Sequence, residues 1–325
     1  MDLRSHQEVL DFLDTTVRDI RQRRMPIENR WLLNHHCWLG ARTRWYYSDG
    51  VSEHYVPAAR RAIEKFVKRC RRQLIPSQDF FEVYPWDDAD VEQDRQAESI
   101  KAYCLYVLTR HMRLRSWIDE MIRSFLLYGR AIVKNTIKLV DIPIPMGRGD
   151  RTVLLTQVWP HSRVVDPFQW YTWPESATTL EEMQLMFEDV MMPYQEYRQF
   201  SERPGSRIDR IAPENLTKPE WPIKHQIRLQ ASGLVADPSL TATGGQRGTV
   251  AGAQFVALTE AWFRDAGQWR RAWIVWNVVG GPKVVWYQKA PYPEPPYRFA
   301  FDRQLPGEAY GTSLMSDLEP LNVWL

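Results

Sequence analysis

The segment His35-His36-Cys37 carries three side chains that can ligate a transition metal. A zinc site needs about four such ligands that converge on one point. Neighbouring side chains on a helix diverge, and no second pair of His or Cys at metal spacing occurs in the sequence. The pattern therefore favours structural roles for these side chains over a metal site.

The acidic segment Asp87-Asp88-Ala89-Asp90 could hold magnesium, because this ion prefers carboxylate oxygens. Such a site would suit a nuclease, in which cleavage depends on Asp88 and Asp90. A solvated loop whose last carboxylate caps the next helix explains the same residues with fewer assumptions. A metal-dependent nucleic-acid enzyme therefore stands as an alternative function.

Two further segments resemble functional motifs only in part. Residues 244–248, Gly-Gly-Gln-Arg-Gly, lack the lysine and the hydroxyl of a P-loop, and no strand is predicted before them. The segment Gly311-Thr312-Ser313 lacks the second glycine of a nucleophile elbow. The sequence therefore predicts no cofactor and no enzymatic activity.

The composition limits the class of protein. The chain has 325 residues, of which 44% are hydrophobic, so it can bury a core of its own. Its formal net charge of +2 is not that of a strongly basic nucleic-acid binder. Its three widely spaced cysteines suit a reducing cytoplasm, and no stretch has the pattern of a signal peptide or a membrane span. We expect no membrane partner.

Charge is segregated along the first third of the chain. A basic run lies within residues 60–72, and an acidic run follows within residues 79–98. Two solvated surfaces explain this pattern, and a ring with adjoining basic and acidic faces is the alternative.

Hydrophobic periodicity predicts the main helices and strands. Helices are predicted over residues 5–24, 27–38, 57–74, 91–110, 115–127 and 181–200. The fourth and fifth helices should form a hairpin with facing apolar stripes. Strands are predicted over residues 80–85, 131–140, 152–159, 254–264, 270–279 and 283–289, with irregular or edge-strand structure over 159–174. Gly129 should end the fifth helix in a left-handed conformation.

The last three predicted strands form a meander with an unusual content of tryptophan. Five of the 15 Trp residues of the chain lie there, which is more aromatic surface than one small sheet face hides. Because aromatic residues are enriched in subunit interfaces, we expect Trp269 and Trp273 to contribute to subunit contacts.

These elements predict an α+β protein with four consecutive regions. Residues 1–200 form a helix-rich region with a β-hairpin, and residues 201–250 form a flexible or interface-ordered loop. Residues 251–306 form the aromatic-rich β-meander. Residues 307–325 begin a long helix whose apolar stripe runs to the last residue, so we expect the chain to be part of a longer protein.

A series of short motifs runs through these regions. They comprise Glu28, Arg30, Trp31 and Asn34 on the second predicted helix, residues 58–63 on the third, Tyr128 and Gly129 at the end of the fifth, Asp166, Pro167 and residues 174–177 after the hairpin, and Tyr310 and Gly311 before the last helix. Their order resembles that of the portal, or head-to-tail connector, proteins of tailed double-stranded DNA bacteriophages.

The resemblance implies a structural protein of the virion. Such proteins form a ring of roughly twelve subunits at one capsid vertex, which is the channel for DNA packaging and ejection. Residues 1–200 would then form the wing, and the helix after Gly311 would approach the stem or tunnel wall. The implied partners are the major capsid protein, the terminase packaging motor, tail adaptor proteins and double-stranded DNA held without sequence preference.

The resemblance also implies synthesis in the host cytoplasm before incorporation into the virion. Another virion component, such as a tail adaptor, is a further alternative. The motifs and the aromatic strands together give the candidate structural or interface residues, which are Arg30, Trp31, Asn34, Gly129, Asp166, Pro167, Trp269, Trp273, Tyr310 and Gly311.

Overall fold

The computed structural model has an α+β fold, which confirms the predicted class. It describes residues 6–39, 58–77, 79–85, 91–145, 152–203, 206–217, 255–303 and 310–318. The helices in these ranges are α1 His6–Arg23, α2 Met25–Leu39, α3 Ala58–Leu74, α4 Val91–Tyr106, α5 Leu114–Tyr128 and α6 Tyr194–Ser201. A π-helical turn, Val107–His111, extends α4, and residues 314–318 are again helical.

The strands form two antiparallel sheets. They are β1 Arg130–Pro145, β2 Thr152–Val165, β3 Trp170–Trp173, β4 Leu185–Pro193, β5 Phe255–Asp265, β6 Gln268–Val275, β7 Lys283–Lys289 and β8 Tyr297–Phe301. The first sheet has the order β2-β1-β8 and the second has the order β3-β4-β5-β6-β7. The predicted hairpin β1-β2 and the predicted meander β5-β6-β7 are confirmed. Because β4 pairs with β5 and β1 pairs with β8, both sheets join strands from either side of residues 201–250.

The helix α1 covers one face of the five-stranded sheet. Its residues Val9, Leu13 and Val17 recur every four positions and are fully buried against that face. Burying an aliphatic side chain of this size contributes about 1.5–3 kcal/mol. The apolar stripe that predicted this helix is therefore also the surface that fixes it to the sheet.

The helices α2, α3 and α5 share a second core with the segment before the last helix. Ile63 of α3 and Ile118 and Leu126 of α5 are buried in it together with Trp31 of α2. Their spacing follows the helical repeat, as the sequence predicted. This core places the C-terminal end of α5 beside the middle of α2.

The predicted helix over residues 181–200 is wrong for most of its length. The middle of this segment forms β4, and only α6 is helical. The composition, rich in Met and Glu, favours a helix, but Leu185 and Phe187 pack on one face of the sheet and Met186 packs on the other. Burial on both faces of a central strand outweighs local propensity. Pro193 divides the two elements, because a proline cannot continue a helix interior.

Two other local predictions were wrong. The segment 79–85 forms no strand, because its apolar run has no neighbouring strand to pair with. The helix α4 does not bury an apolar stripe against α5, since Ala97 is its one buried residue. Its apolar residues are spread around the helix, whereas α5 has a single stripe that packs against α2 and α3.

Several predictions lie wholly or partly outside the described residues. They concern the acidic segment 87–90, most of the loop 201–250 and the last helix beyond residue 318. The prediction for 159–174 is confirmed in part, because β2 continues to Val165 and β3 is an edge strand. Among the described helices, none is both long enough and apolar enough to cross a membrane.

Candidate functional site

Four segments that are distant in sequence meet at the C-terminal end of α5. The Trp31 side chain of α2 is buried there and packs edge-on against three other rings. The distances between ring centroids are 6.1 Å to Tyr128, 5.4 Å to Phe168 and 6.1 Å to Tyr310. Edge-on pairs contribute about 0.5–1.5 kcal/mol each beyond the area that they bury. Trp31 therefore joins all four segments in one packed cluster.

Asn34 links the same segments through its buried side-chain amide. Its Nδ2 donates to the carbonyl oxygen of Leu127 at 2.9 Å and to Ser313 Oγ at 2.8 Å. Ser313 Oγ in turn accepts from the backbone N–H of Ser316 at 3.1 Å, which caps the helix over 314–318. One amide group thus fixes the end of α5 relative to the start of the last helix.

Gly129 and Gly311 bring two backbone segments into direct contact. Gly129 ends α5 at φ +73°, the left-handed conformation predicted for it. A Cβ atom on Gly129 would lie 2.8 Å from the carbonyl carbon of Gly311, and a Cβ on Gly311 would lie 2.6 Å from the carbonyl oxygen of Gly129. Real Cβ atoms do not approach backbone this closely, so only glycine fits at either position.

The turn at Asp166-Pro167 positions a ring of this cluster. Asp166 Oδ1 accepts from the backbone N–H of Phe168 at 3.1 Å, and its carbonyl oxygen accepts from that of Gln169 at 2.9 Å. The turn holds the Phe168 ring against Trp31, so Asp166 contributes to this packing indirectly, by positioning Phe168. We refer to Trp31, Asn34, Tyr128, Gly129, Tyr310 and Gly311 as the junction cluster.

Two buried arginines border the junction cluster. The guanidinium of Arg24 pairs with Glu28 at 2.7 Å and lies 3.6 Å from the ring centre of Tyr171. It also donates to the carbonyl oxygens of Phe168, at 2.8 Å, and Trp170. A buried charge is tolerated when it is paired and hydrogen-bonded, as this one is.

Arg130 follows Gly129 directly and is fully buried. Its guanidinium lies 5.2 Å from the ring centre of Trp31, 4.9 Å from that of Trp170 and 5.1 Å from that of Tyr310. Burial, together with the charge of Arg24, lowers the pKa of Arg130 to about 9, so the side chain is still a cation at neutral pH. The electron-rich faces of these rings attract the guanidinium and offset part of the free-energy cost of removing it from water.

The remaining predicted residues lie elsewhere. Arg30 is exposed on α2 and does not join the junction cluster. Trp269 and Trp273 both lie on β6, where Trp269 is buried within the chain against Arg264. Trp273 is partly exposed, with its ring 5.7 Å from that of Trp286. Of these two tryptophans, only Trp273 presents surface to a partner.

An ion network connects the two sheets at a second location. Lys134 Nζ of β1 donates to Glu188 Oε2 at 2.8 Å and to Glu260 Oε2 at 2.6 Å. Glu260 Oε1 accepts from Trp262 Nε1 at 2.8 Å and from Arg271 Nε at 2.9 Å. Desolvation opposes ionisation of Glu260, but the charges of Lys134 and Arg271 prevail and lower its pKa to about 2. Glu260 is therefore an anion at neutral pH.

The other carboxylate of the network, Glu188, also has several partners. Glu188 is fully buried, pairs with Arg163, and accepts from Tyr297 Oη at 3.0 Å. Burial and the adjacent Glu188 raise the pKa of Tyr297 well above its usual value, so the phenol keeps its proton. Because both carboxylates are held by cations, the network gives no support for general acid–base catalysis.

A cleft of about 650 Å³ opens beside this network, between the three-stranded sheet and the five-stranded sheet. Its floor is the ion network, and its walls include Ile137, Met191, Phe200 and Trp273. The buried Trp273 Nε1 has no hydrogen-bond partner among the described residues. We call this feature the inter-sheet cleft.

Two of the side chains considered as metal ligands, His35 and Cys37, are buried instead. His35 is buried, and its Nδ1 lies 3.0 Å from Tyr128 Oη, while Cys37 is buried in the helical core. Burial lowers the pKa of the half-buried His36, which favours its neutral form. Within the described ranges, no group of three His, Cys, Asp or Glu side chains could hold a metal ion.

Sequence reasoning did not select Arg24, Arg130, Lys134, Glu188 or Glu260. A usable signal was present, because several of these charges interrupt apolar runs that predict strands or buried segments. Charged residues are rarely buried without a partner, so such interruptions point to paired charges. The identity of the partners depends on the pairing of the strands.

No protein-family model matches the chain, and no curated protein sequence matches it significantly.

Proposed function

We infer that this chain is a portal protein, which forms a ring at one capsid vertex of a tailed bacteriophage and serves as the DNA channel and the attachment point for motor and tail. The observation that supports this proposal is the junction cluster. Six residues of the ordered motifs are in or beside one packed contact, although they come from three separate parts of the sequence. A chance series of motifs would not be expected to converge in this way.

The distance spanned in sequence strengthens this support. Asn34 and Ser313 are 279 positions apart, yet their side chains are hydrogen-bonded. Contacts of such high sequence separation are costly in loop entropy and persist only where they are stabilised. The motif order is therefore tied to a specific tertiary arrangement, as a shared architecture requires.

The helix α3 of the proposed wing presents a basic surface that suits contact with DNA phosphates without reading of the base sequence. Six of its cationic side chains are exposed. They are Arg60, Arg61, Lys65, Lys68, Arg69 and Arg72. Contacts of this kind are directed at phosphates and release counterions, so any DNA binding should weaken steeply with salt and ignore sequence. A strong preference for one duplex sequence would favour a regulatory DNA-binding protein instead.

The proposal is tested by imaging the gene product that carries this chain. Negative-stain electron microscopy with light scattering should give rings of roughly twelve subunits around a hole wide enough for duplex DNA. A monodisperse monomer at micromolar concentration would refute the portal function. Closed particles with another subunit number and no such hole would indicate a different virion component, such as a tail adaptor.

A further inference from the structure

The helix α4 is held to the rest of the chain mainly at its C-terminal end. Of the described residues of this helix, only Ala97 is buried, and its larger apolar residues, such as Ile100, are more than half exposed. The residues that follow do pack on the body, because Val107 is buried and Leu108 lies against the core shared by α2, α3 and α5. We call residues 91–111, which comprise α4 and its π-helical turn, the α4 arm.

One neighbour of the arm is the segment 79–85, which is attached to it through Lys101. Lys101 Nζ lies 3.0 Å from Asp79 Oδ2 and 2.8 Å from Glu82 Oε2. Both carboxylates are more than half exposed, and ion pairs between solvated groups contribute little to stability. These ion pairs therefore do not fix the arm firmly.

The π-helical turn at the end of the arm builds a stack of three rings. Its wider winding is shown by the backbone N–H of Met112, which donates to the carbonyl oxygen of Val107, five residues earlier, at 2.9 Å. This winding brings the rings of Tyr106 and His111 edge-on, with their centroids 5.1 Å apart. The His111 ring then stacks on Trp159 of β2, at a centroid distance of 3.7 Å and an interplanar angle of 14°.

The residue that joins the arm to α5, Arg113, has a left-handed backbone. Its φ is 49° and its ψ is 47°, a conformation that is unfavourable for a residue with a Cβ atom. Strained residues of this kind, like π-helical turns, are common in segments that move or switch. Because Arg113 lies between two helices, the arm can change its direction there while both helices keep their own hydrogen bonds.

We propose that the α4 arm is a hinged element that swings away from the body about Arg113, and that the stack of His111 on Trp159 is the latch that holds it closed. Regions with few buried apolar contacts open at a lower free energy than the core. A partner that binds the released arm better than the closed one would shift the population towards release. The inference goes beyond the proposed function, since it concerns a single copy of the chain and holds whether or not copies form a ring.

Hydrogen exchange, followed by mass spectrometry, tests the hinge in the purified protein at a concentration where light scattering shows single copies. A released helix of about 20 residues is only marginally stable in water, so its amides exchange while the arm is open. The amides of the arm should exchange at least about a hundredfold faster than those of α5, whose apolar stripe is buried. Arm amides that exchange as slowly as those of α5 would overturn the proposal.

Two neighbouring residues of β2 test the latch. Trp159→Ala removes one ring of the stack and should speed the exchange of the arm roughly three- to tenfold, while the exchange of α5 stays the same. Val158→Ala is the matched control, because Val158 is 59% exposed and its side chain points to the opposite face of the strand. If the arm exchanges at the same rate in both variants, the stack is not a latch.

A double variant separates a latch from a general loss of stability. If the two rings act on each other, Trp159→Ala should cause no further change in the exchange of the arm once His111→Ala has removed the partner ring. An equal acceleration by Trp159→Ala with and without the His111 ring would mean that Trp159 acts by another route, and it would overturn the assigned latch. Far-ultraviolet circular dichroism verifies that each variant keeps the fold.

Discussion

Substitution of Gly129 by alanine should destabilise the fold strongly, because two separate costs add at this position. The residue has φ +73°, and the left-handed conformation costs a non-glycine residue about 1–2 kcal/mol. The new Cβ would also lie 2.8 Å from the carbonyl carbon of Gly311, and relieving such overpacking costs about 1–3 kcal/mol. We expect a total loss of about 2–5 kcal/mol in the free energy of unfolding.

Two other glycines separate these costs. Gly267 has φ +78° but no atom within 4 Å of its Cβ position, so Gly267→Ala should show only the conformational cost of about 1–2 kcal/mol. Gly311 does not have positive φ, but its Cβ would lie 2.6 Å from the carbonyl oxygen of Gly129. Gly311→Ala should therefore show only the steric cost of about 1–3 kcal/mol.

Urea denaturation of the three variants measures these free energies, provided that the dependence on denaturant is unchanged. The expected order of destabilisation places Gly129→Ala above Gly267→Ala, and Gly311→Ala should also destabilise because its Cβ would clash with the carbonyl oxygens of both Gly129 and Asp302. If Gly129→Ala and Gly267→Ala agree within about 0.5 kcal/mol, the close approach of the two backbone segments is wrong. An unchanged free energy of unfolding in Gly311→Ala would lead to the same conclusion.

The remaining predictions concern buried polar groups. Glu260→Gln should cost about 3–5 kcal/mol in the free energy of unfolding, because it removes the buried carboxylate that Lys134 and Arg271 share, and an unchanged midpoint in urea denaturation would contradict this. The pKa of Glu260 is lowered to about 2 in the folded protein, from about 4.5 in the unfolded chain. The ionised carboxylate therefore stabilises the fold fully above pH 4.5, and this contribution is lost as the pH falls towards 2. In thermal melts between about pH 5 and 2, the Glu260→Gln variant should lack this part of the acid sensitivity. Asn34→Ala should cost about 1–3 kcal/mol in the free energy of unfolding by leaving buried acceptors unpaired, and a loss below about 0.5 kcal/mol would argue against its linking role. Arg24→Met should cost about 3–5 kcal/mol because it removes the cation of a buried ion pair, whereas Arg130→Met should change stability by about 1 kcal/mol or less because no carboxylate is paired with Arg130 among the described residues. Equal losses in the two variants would contradict the assigned pairing.

Part of the candidate site could be predicted from local sequence. Gly129 was expected to cap α5 with positive φ, because a glycine after the last residue of an apolar stripe is the usual helix stop. Serine is a residue type that commonly caps helices, and Ser313 has that local role at the last helix. Their meeting through Asn34 was not predicted, since nothing in either segment specifies a partner hundreds of residues away.

The sequence alone determined the elements whose period matches their burial. The stripes of α1, α3 and α5, the β1-β2 hairpin and the β5-β6-β7 meander all follow from side-chain spacing and turn residues, which act over a few positions. Tertiary structure alone decided that 185–193 is a central strand and that Lys134 lies between Glu188 and Glu260. Both outcomes depend on burial and strand pairing between distant segments, and the free energy of such contacts is fixed only when the sheets come together.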